Sequence, residues 1–436
     1  MKKSSLGFVV QYYGFRNDMR NLILKLSEVY DLTLFVENRD SVFDIPDHID
    51  IVEIVSQKKR LYNVLLRLVY RMFGNKPRSK KSYVAWLDRR YSVSDKSLLT
   101  FCNYLMEIAS VNLPTLVDFD WYLSRLKYDR TETYSVEKFL TFSDVNDVYF
   151  LAQLLDSGKS VFTYVYSWDH AGKYFKFSRN RINYFVWNNG MMNDLVGLHG
   201  VNQLNIRVLG STQLTVVHDY LFNSESRKSV LRSDSVVYFA ASMGYGPIAE
   251  QEVEIARLLA KKLKKYLPNF TLLFRPYPLL KDWNIYSSLL QEDNVIIEDY
   301  RDKGKKVVFT EKDVEAKFNN IQRSVAVFHC GSTLGMEAAY FDTPVFFICL
   351  EEFEFEKSYS KRDTIQNVFN QHHINKYLKL ENPFNVIQSS DQIETILKTL
   401  PELNDSHLGY NRQVAQATEL ASFNSILSKL TQMLNS

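Results

Sequence analysis

The sequence has few cysteines and no long apolar run. Three cysteines occur in 436 residues, and they are too far apart for a disulfide framework or a zinc-ligand spacing. The sequence contains no stretch of about 18 consecutive apolar residues, which is the length that a membrane-spanning helix requires. The apolar segment near the N-terminus is broken by Gln11, Tyr12 and Arg16, which argues against a signal peptide. We therefore expect a cytoplasmic protein in a reducing compartment.

An excess of charge is also missing. The net charge is only +3 and 24% of the residues are charged, so the composition does not indicate a nucleic-acid-binding protein. Hydrophobic residues make up 46% of the chain, which is enough to bury a large core. At about 150 residues per domain, the length predicts two or three domains, of which we favour two.

Alternating strands and helices are predicted in both halves. Apolar runs at 6–10 and 32–36 flank a segment with helical apolar spacing, and this βαβ pattern predicts a parallel sheet. Further strands are predicted at 115–117, 161–166, 183–187, 206–209, 236–241 and 270–274. A polar stretch at 224–234 predicts the domain linker. We therefore expect a first domain of 1–223, a second domain of 235–390, and C-terminal helices over 391–436.

The most informative segment runs from 325 to 348. Its residue types predict a strand, a tight turn, a short helix and a second strand. Gly331 would let the backbone approach a ligand, and Ser332 could cap the helix, whose first N–H groups favour a phosphate. Glu337 could accept hydrogen bonds from ribose hydroxyls. The alternative is that Ser332 is only a cap and that Glu337 is solvated.

This segment resembles the donor-site motif of GT-B glycosyltransferases of bacterial surface-polysaccharide biosynthesis, the capsule and O-antigen type. The resemblance implies that His329, Gly331, Ser332, Thr333 and Glu337 contact a nucleotide-sugar donor. It also implies an α/β fold of two Rossmann-like domains that face a central cleft. The first domain would lie on the acceptor side, the second would bind the donor, and the helices over 391–436 would pack back toward the first domain.

A second segment, Arg275-Pro276-Tyr277-Pro278, resembles an Arg-Pro-His-Pro element of sugar and polyol-phosphate transferases. Tyr277 stands in place of the histidine. Arg275 ends a predicted strand, where a guanidinium can bind a diphosphate bidentately and neutralise the leaving group. The resemblance implies that both residues belong to the donor site. A structural ion pair is the alternative role for Arg275.

A third segment, Ser167-Trp168-Asp169-His170 with Lys173, is similar to a Ser-Trp-Asp-Asn pattern of bacterial transferases. His170 replaces the asparagine. Because ligands gather at the carboxyl ends of strands, we predict that Ser167, Trp168 and Lys173 lie on the acceptor side. Asp169 or His170 could deprotonate an acceptor hydroxyl. The alternative is a turn in which Asp169 is a cap and Trp168 packs in the core.

The loop between the predicted strand at 236–241 and the next helix has the position of a phosphate loop. Its candidate donor contacts are Ser242 and Gly244. A simple turn explains two glycines in this loop equally well.

One stretch of the chain is strongly basic. Residues 58–81 contain no acidic residue and nine basic ones: Lys58, Lys59, Arg60, Arg67, Arg71, Lys76, Arg78, Lys80 and Lys81. They accompany an apolar helical pattern formed by Leu61, Val64, Leu65, Leu68 and Met72. The combination suits a peripheral contact with anionic lipid. A core-packed helix with a solvated charged face is the alternative.

The spacing of Asp118 and Asp120 matches the metal-binding Asp-x-Asp of the GT-A class of glycosyltransferases. We give it little weight because short acidic triplets are common and the nucleotide-site features lie far downstream. We therefore predict no metal and no cofactor, the nucleotide-sugar being a co-substrate.

Three functions remain open from the sequence. The first is sugar transfer from a nucleotide-sugar to a glycan or lipid-linked acceptor. The second is transfer of a polyol phosphate from a CDP-linked donor, as in teichoic-acid synthesis. The third is non-catalytic binding of a glycan or nucleotide.

Overall fold

The structure is a computed structural model. It describes residues 3–10, 13, 17–54, 61–74, 115–129, 134–143, 147–173, 176–223, 235–278, 280, 282–299, 309–350, 352–359, 364–379, 385–403 and 408–435. The predicted linker at 224–234 and seven of the nine basic residues of 58–81 lie outside the described residues. The chain divides into two compact units, one of Met1–Thr212 with Ala421–Ser436 and one of Gln213–Leu420.

The first unit contains a seven-stranded sheet. Its strands are β1 (Ser5–Val9), β2 (Asp31–Val36), β3 (Asp50–Glu53), β4 (Lys138–Phe142), β5 (Ser160–Tyr164), β6 (Asn183–Val186) and β7 (Ile206–Val208). They lie in the order β3-β2-β1-β4-β5-β6-β7, and each neighbouring pair is parallel. The parallel arrangement explains why most of these strands are nearly continuous apolar runs, since both faces of such a sheet are covered.

The second unit contains a six-stranded sheet. Its strands are β8 (Val236–Ala240), β9 (Thr271–Arg275), β10 (Val295–Ile297), β11 (Ala326–His329), β12 (Val345–Ile348) and β13 (Val386–Ile387). They are parallel and lie in the order β10-β9-β8-β11-β12-β13. This is the strand order of a doubly wound nucleotide-binding sheet.

The described helices fall between or after these strands. They are α1 (Asn17–Val29), α2 (Leu61–Phe73), α3 (Phe119–Leu123), α4 (Val148–Asp156), α5 (His170–Lys173), α6 (Asn189–His199), α7 (Thr212–Asn223), α8 (Gly246–Tyr266), α9 (Asn284–Ser287), α10 (Glu311–Arg323), α11 (Thr333–Ala338), α12 (Ile365–Phe369), α13 (His372–Tyr377), α14 (Ser390–Thr399), α15 (Gly409–Thr418) and α16 (Phe423–Asn435). Within the described ranges, none of the helices combines the length and the apolarity needed to cross a bilayer.

Most predicted strands are confirmed, but one is wrong and four strands were not predicted. The predicted strand at 115–117 is wrong, because Val117 forms only an isolated bridge with Gly74. Asp118 then caps α3 by accepting a hydrogen bond from the Trp121 amide at 2.8 Å. The strands that were not predicted are β3, β4, β10 and β13. The omission of β4 matters most because that strand completes the centre of the first sheet.

In each sheet the order of connection reverses at the first strand. Strand β1 lies between β2 and β4, and β8 lies between β9 and β11. Doubly wound sheets bind ligands in the crevice at this point, outside the carboxyl ends of the strands. The ends of β1 and β4 therefore mark the expected ligand position in the first unit, and the ends of β8 and β11 mark it in the second.

The boundary between the units lies earlier than the expected end of the first domain at residue 223. Helix α7 belongs to the second unit from Gln213 onward. The reason is the packing of Tyr220, whose ring lies 5.2 Å from that of Phe318 and 5.7 Å from that of Phe341. Its hydroxyl donates to Asn319 at 2.6 Å.

Of the C-terminal helices over 391–436, only α16 belongs to the first unit. Tyr30 donates a hydrogen bond to Asn435 at 3.1 Å, and Lys138 donates to the Leu434 carbonyl at 2.5 Å. Helices α14 and α15 belong to the second unit. In α15, the buried Asn411 accepts from the Val345 amide at 3.1 Å and so attaches the helix to β12.

Candidate functional site

Three predicted donor-site segments meet at the carboxyl end of the second sheet. The strand register pairs Ala240 of β8 with Arg275 of β9 and also with His329 of β11. These three residues form a row across adjacent strands. The loops that follow them, 241–245, 276–278 and 330–332, therefore begin side by side at the point where the connection order reverses.

His329 organises the turn after β11. Its Nδ1 accepts hydrogen bonds from the amides of Gly331 at 3.1 Å and Ser332 at 3.2 Å. The side chain is fully buried, and burial lowers its pKa to about 3, so the ring is neutral at physiological pH. Gly331 has a φ of 111°, a conformation that favours glycine. These two amides lie just before α11, whereas the first-turn amides that are expected to favour a phosphate begin at Thr333.

The side chain of Ser332 caps α11, as the sequence suggested, by accepting from the Leu334 amide at 3.1 Å. Thr333 is the first residue of this helix. Gly335 lies over the His329 ring, and a Cβ atom on Gly335 would overlap the Nε2 atom of that ring. A side chain at position 335 would therefore displace the ring that shapes the turn.

Arg275 is 8% exposed and forms an ion pair with Glu298 at 2.5 Å. Glu298 also accepts from the Tyr238 hydroxyl at 3.0 Å and from Asn320 at 2.5 Å. The guanidinium is therefore held in a fixed position at the end of β9. The amide of the neighbouring Tyr277 donates to the Tyr286 hydroxyl at 3.1 Å, which fixes the start of the Arg-Pro-Tyr-Pro loop.

Glu337 in α11 is 8% exposed. Its Oε2 accepts from Lys317 Nζ of α10 at 2.6 Å. The alternative from the sequence was a solvated Glu337. The carboxylate is instead largely buried, and it has a cation beside it. The ion pair links α11 to α10 and fixes the position of the carboxylate.

The loop after β8 is attached to a buried carboxylate. Glu252 of α8 is completely buried and accepts hydrogen bonds from the Ser242 amide at 2.9 Å and from the Ser242 hydroxyl. The Met243 amide lies 3.4 Å from its other oxygen. Burial raises the Glu252 pKa to about 7, although these hydrogen bonds oppose the rise. Ser242 therefore binds Glu252, while Gly244 is a partly exposed residue of the loop.

In the first unit, the segment after β5 brings Asp169 and His170 next to the end of β4. Asp169 forms an ion pair with Lys173, one turn along the same segment. His170 Nδ1 lies 2.6 Å from the Ser143 hydroxyl, and its Nε2 lies 3.8 Å from Asp169. If Ser143 donates to Nδ1, the neutral ring carries its proton on Nε2, toward Asp169.

The other two residues of this segment have structural positions. Trp168 is 3% exposed, so it is buried in the first unit, as the core-packing alternative supposes, and its place on the acceptor side stays a prediction. The Ser167 carbonyl accepts from the His170 amide at 3.0 Å and closes the turn. Asp169, His170 and Lys173 remain as the polar side chains of the candidate acceptor site.

Asp118 and Asp120 do not act together. Asp118 caps α3, and its other oxygen lies 3.5 Å from Arg179. Asp120 accepts from the Arg179 amide at 2.9 Å. Both carboxylates thus hold local structure around α3. Across the described residues, no group of three or more His, Cys, Asp or Glu side chains is placed to hold a metal ion.

No family model matches the sequence, and no curated protein matches it. Among solved structures, a Listeria monocytogenes protein assigned as a UDP-N-acetylglucosamine 2-epimerase is similar at TM-score 0.51 and 11% identity, over 100% of this chain and 96% of that chain. The S. aureus MnaA–UDP co-structure gives 0.50 and 12%, over 100% and 97%. WaaG, a glycosyltransferase involved in lipopolysaccharide biosynthesis, gives 0.44 and 11%, over 99% and 100%.

The first two similarities bear on the fold alone, because the identities are low. With the two strand orders, they confirm the predicted α/β fold of two Rossmann-like domains, the GT-B type. The similarity to WaaG is too weak to bear on the reaction.

Four polar residues of the two candidate sites were not predicted. Ser143 was missed because β4 was missed, although the run Lys-Phe-Leu-Thr-Phe before it could have been recognised as a strand. Glu252 lies one helical turn before the buried Ala256. A carboxylate on the apolar face of a predicted helix is the sequence feature by which it could have been recognised. Nothing in the sequence around Glu298 or Lys317 indicates a role in the site, because their partners come from other elements.

Proposed function

We propose that the chain is a cytoplasmic glycosyltransferase that moves a sugar from a nucleotide-sugar donor to a growing glycan or lipid-linked saccharide acceptor of a bacterial surface polysaccharide. The observation that carries the proposal is the position of the donor-site residues. Arg275, His329 and the loop that contains Ser242 all lie where β8, β9 and β11 end, beside the point at which doubly wound sheets bind nucleotides.

The second unit would bind the donor through groups of different chemistry. The Arg275 guanidinium neutralises the diphosphate, and its ion pair with Glu298 fixes its direction. The Ser332 hydroxyl and the backbone of Gly244 contact the phosphate oxygens. Glu337 accepts hydrogen bonds from the ribose hydroxyls.

The first unit would activate the acceptor. Asp169 takes the proton from an acceptor hydroxyl while the hydroxyl oxygen forms a bond to the anomeric carbon of the donor sugar. The bond between that carbon and the diphosphate oxygen breaks, and the nucleotide leaves with the bonding electron pair. This route inverts the configuration at the anomeric carbon, whereas a retaining reaction would not require Asp169 as a base.

The test is incubation with CMP-, GDP-, UDP- and dTDP-linked sugars and with CDP-linked polyols, followed by measurement of released nucleotide and of bound ligand. Release from a nucleotide-sugar supports glycosyl transfer. Release from a CDP-polyol supports the polyol-phosphate alternative, which the Arg-Pro-x-Pro resemblance permits although Tyr277 in place of the histidine counts against it. Binding without turnover supports a non-catalytic protein, and the absence of both overturns the proposal.

Epimerisation is a second candidate, because it is the activity named for the Listeria monocytogenes protein of similar fold. The same incubation distinguishes it from transfer. An epimerase changes the configuration of the sugar and needs no acceptor, which an NMR spectrum of the sugar reveals. A transferase leaves that configuration unchanged until an acceptor is added.

Replacing Glu337 by alanine is expected to weaken nucleotide binding by about 1 to 3 kcal/mol, the usual consequence of losing a hydrogen bond to a charged group. Isothermal titration with the nucleotide released in the incubation measures the change. The control is Lys317→Met, which breaks the ion pair but keeps the carboxylate. If a folded Glu337→Ala variant binds the nucleotide as the wild type does, Glu337 is not part of the site.

A peripheral membrane contact is the further part of the proposal. In α2, Leu66 and Tyr70 are buried, whereas Leu61, Leu65 and Val69 are exposed by 74%, 53% and 38%. The helix thus has an exposed apolar face in addition to its core face. Together with the basic residues of 58–81 in the sequence, this face suits an anionic lipid surface.

Changing Arg67, Arg71, Lys80 and Lys81 to glutamate is expected to release the protein from anionic vesicles, since each basic residue near such a surface contributes about 1 kcal/mol. Vesicle sedimentation measures the bound fraction. The control reverses four exposed lysines elsewhere, Lys25, Lys261, Lys264 and Lys398. If the wild type does not bind anionic vesicles at low salt, where exposed charges act most strongly, the membrane contact is wrong.

A further inference from the structure

We infer that Glu252 is a positioning residue of the donor site, holding the loop after β8 from within the core. The inference rests on the proposed function, because it assigns this loop to donor binding. It begins from an unusual placement: Glu252 is completely buried, and carboxylates are rarely buried without a cation. Its hydrogen-bond partners in the structure are the Ser242 amide, the Ser242 hydroxyl and the Met243 amide.

These contacts set the direction of the loop. The Ser242 amide and hydroxyl both donate to the same carboxylate oxygen, so Ser242 anchors the loop to Glu252. The part of the loop left to face a ligand begins after Met243, at Gly244. Glu252 and Ser242 together therefore position the backbone of the loop, and this backbone would contact the donor.

Glu252 also adjoins the second loop of the site. It is close enough to Cys330, the residue after β11, to contribute to the raised pKa of that buried thiol, to which burial contributes most. The carboxyl group holds the loop after β8, and this loop begins beside the end of β11 because Ala240 pairs with His329. A change at Glu252 would move the loop without removing a group that touches the ligand.

The test compares Glu252→Gln with Glu252→Ala. The glutamine oxygen can accept from both the Ser242 amide and the hydroxyl, so Glu252→Gln is expected to bind nucleotide within about 3-fold of the wild type. Alanine removes the acceptor of both donors and so releases the loop, and nucleotide affinity is expected to fall by about 10-fold or more. The probes are CMP, GDP, UDP and dTDP, measured by isothermal titration. Ser242→Ala keeps the carboxyl group and gives a second reading if Glu252→Ala does not fold.

The matched control is Gln251→Ala. Gln251 is equally buried on the same helix but accepts from the Ile365 amide at 2.8 Å, so its loss should lower stability and leave nucleotide affinity unchanged. Equal losses in Glu252→Gln and Glu252→Ala would overturn the inference, as would unchanged affinity in a folded Glu252→Ala variant.

Hydrogen exchange without any ligand separates this inference from the proposed function. Exchange over 241–245 is expected to rise in Glu252→Ala and to return to the wild-type level in Glu252→Gln. If no nucleotide binds the wild type, the proposed function fails, but this exchange pattern still supports the positioning of the loop by Glu252. Unchanged exchange in Glu252→Ala overturns it.

Discussion

Replacing Arg275 by methionine is expected to lower turnover by about 100-fold to 1000-fold, the range found when a preorganised group that stabilises developing charge is removed. The diphosphate gains charge as the bond to the sugar breaks, and Arg275 is a cation held at the end of β9. Arg275→Lys is expected to restore only part of the activity, because a lysine is a point charge and does not form the bidentate contact. Initial rates of nucleotide release at saturating donor measure the effect.

Loss of Arg275 also leaves Glu298 without its ion-pair partner, which can destabilise the fold. The double variant Arg275→Met with Glu298→Gln is the control, because it removes the unpaired charge. If the double variant recovers both stability and turnover, Arg275 has only the structural role that the sequence left open. If it recovers stability alone, the guanidinium acts on the reaction.

Replacing Asp169 by asparagine is expected to lower turnover by about 100-fold or more, as for the loss of a general base, with little change in nucleotide affinity. In the proposed mechanism the base acts on the acceptor, so the loss should appear in the rate at saturating donor. The dependence of turnover on pH gives a second observation. The variant should lose the acid limb of the wild-type profile if Asp169 must be ionised.

Lys173 provides the control for this experiment, because it forms the ion pair with Asp169. Lys173→Met keeps the carboxylate and is expected to change turnover much less than Asp169→Asn does. Equal losses in the two variants would indicate that the ion pair holds the segment and that Asp169 is not the base. Turnover that is unchanged in Asp169→Asn would remove it from the mechanism.

Much of the fold could be predicted because buried parallel strands are apolar runs of distinctive length. Such runs identify β8, β9 and β11 in the sequence, and with them the loops that contain Ser242, Arg275 and Ser332. Strand β4 was not predicted, and the position of Ser143 beside His170 was lost with it. One missed strand thus concealed the centre of the first sheet.

The partners of the site residues could not be predicted for a different reason. Arg275 meets Glu298, and Glu337 meets Lys317, across separate elements of the second unit. No local pattern places such pairs together. The turn after β11 shows the same limit, because no local pattern predicts that the Gly331 and Ser332 amides bind the ring of His329, over which Gly335 lies.

The most direct test of the central claim is hydrogen exchange of the wild-type protein with each nucleotide of the panel at saturating concentration. We expect one nucleotide to slow exchange in the loops after β8 and β11, at 241–246 and 330–334, because the ligand lies where the strand order reverses. Binding that protects other segments and leaves these two loops unchanged would contradict the assignment of the nucleotide site.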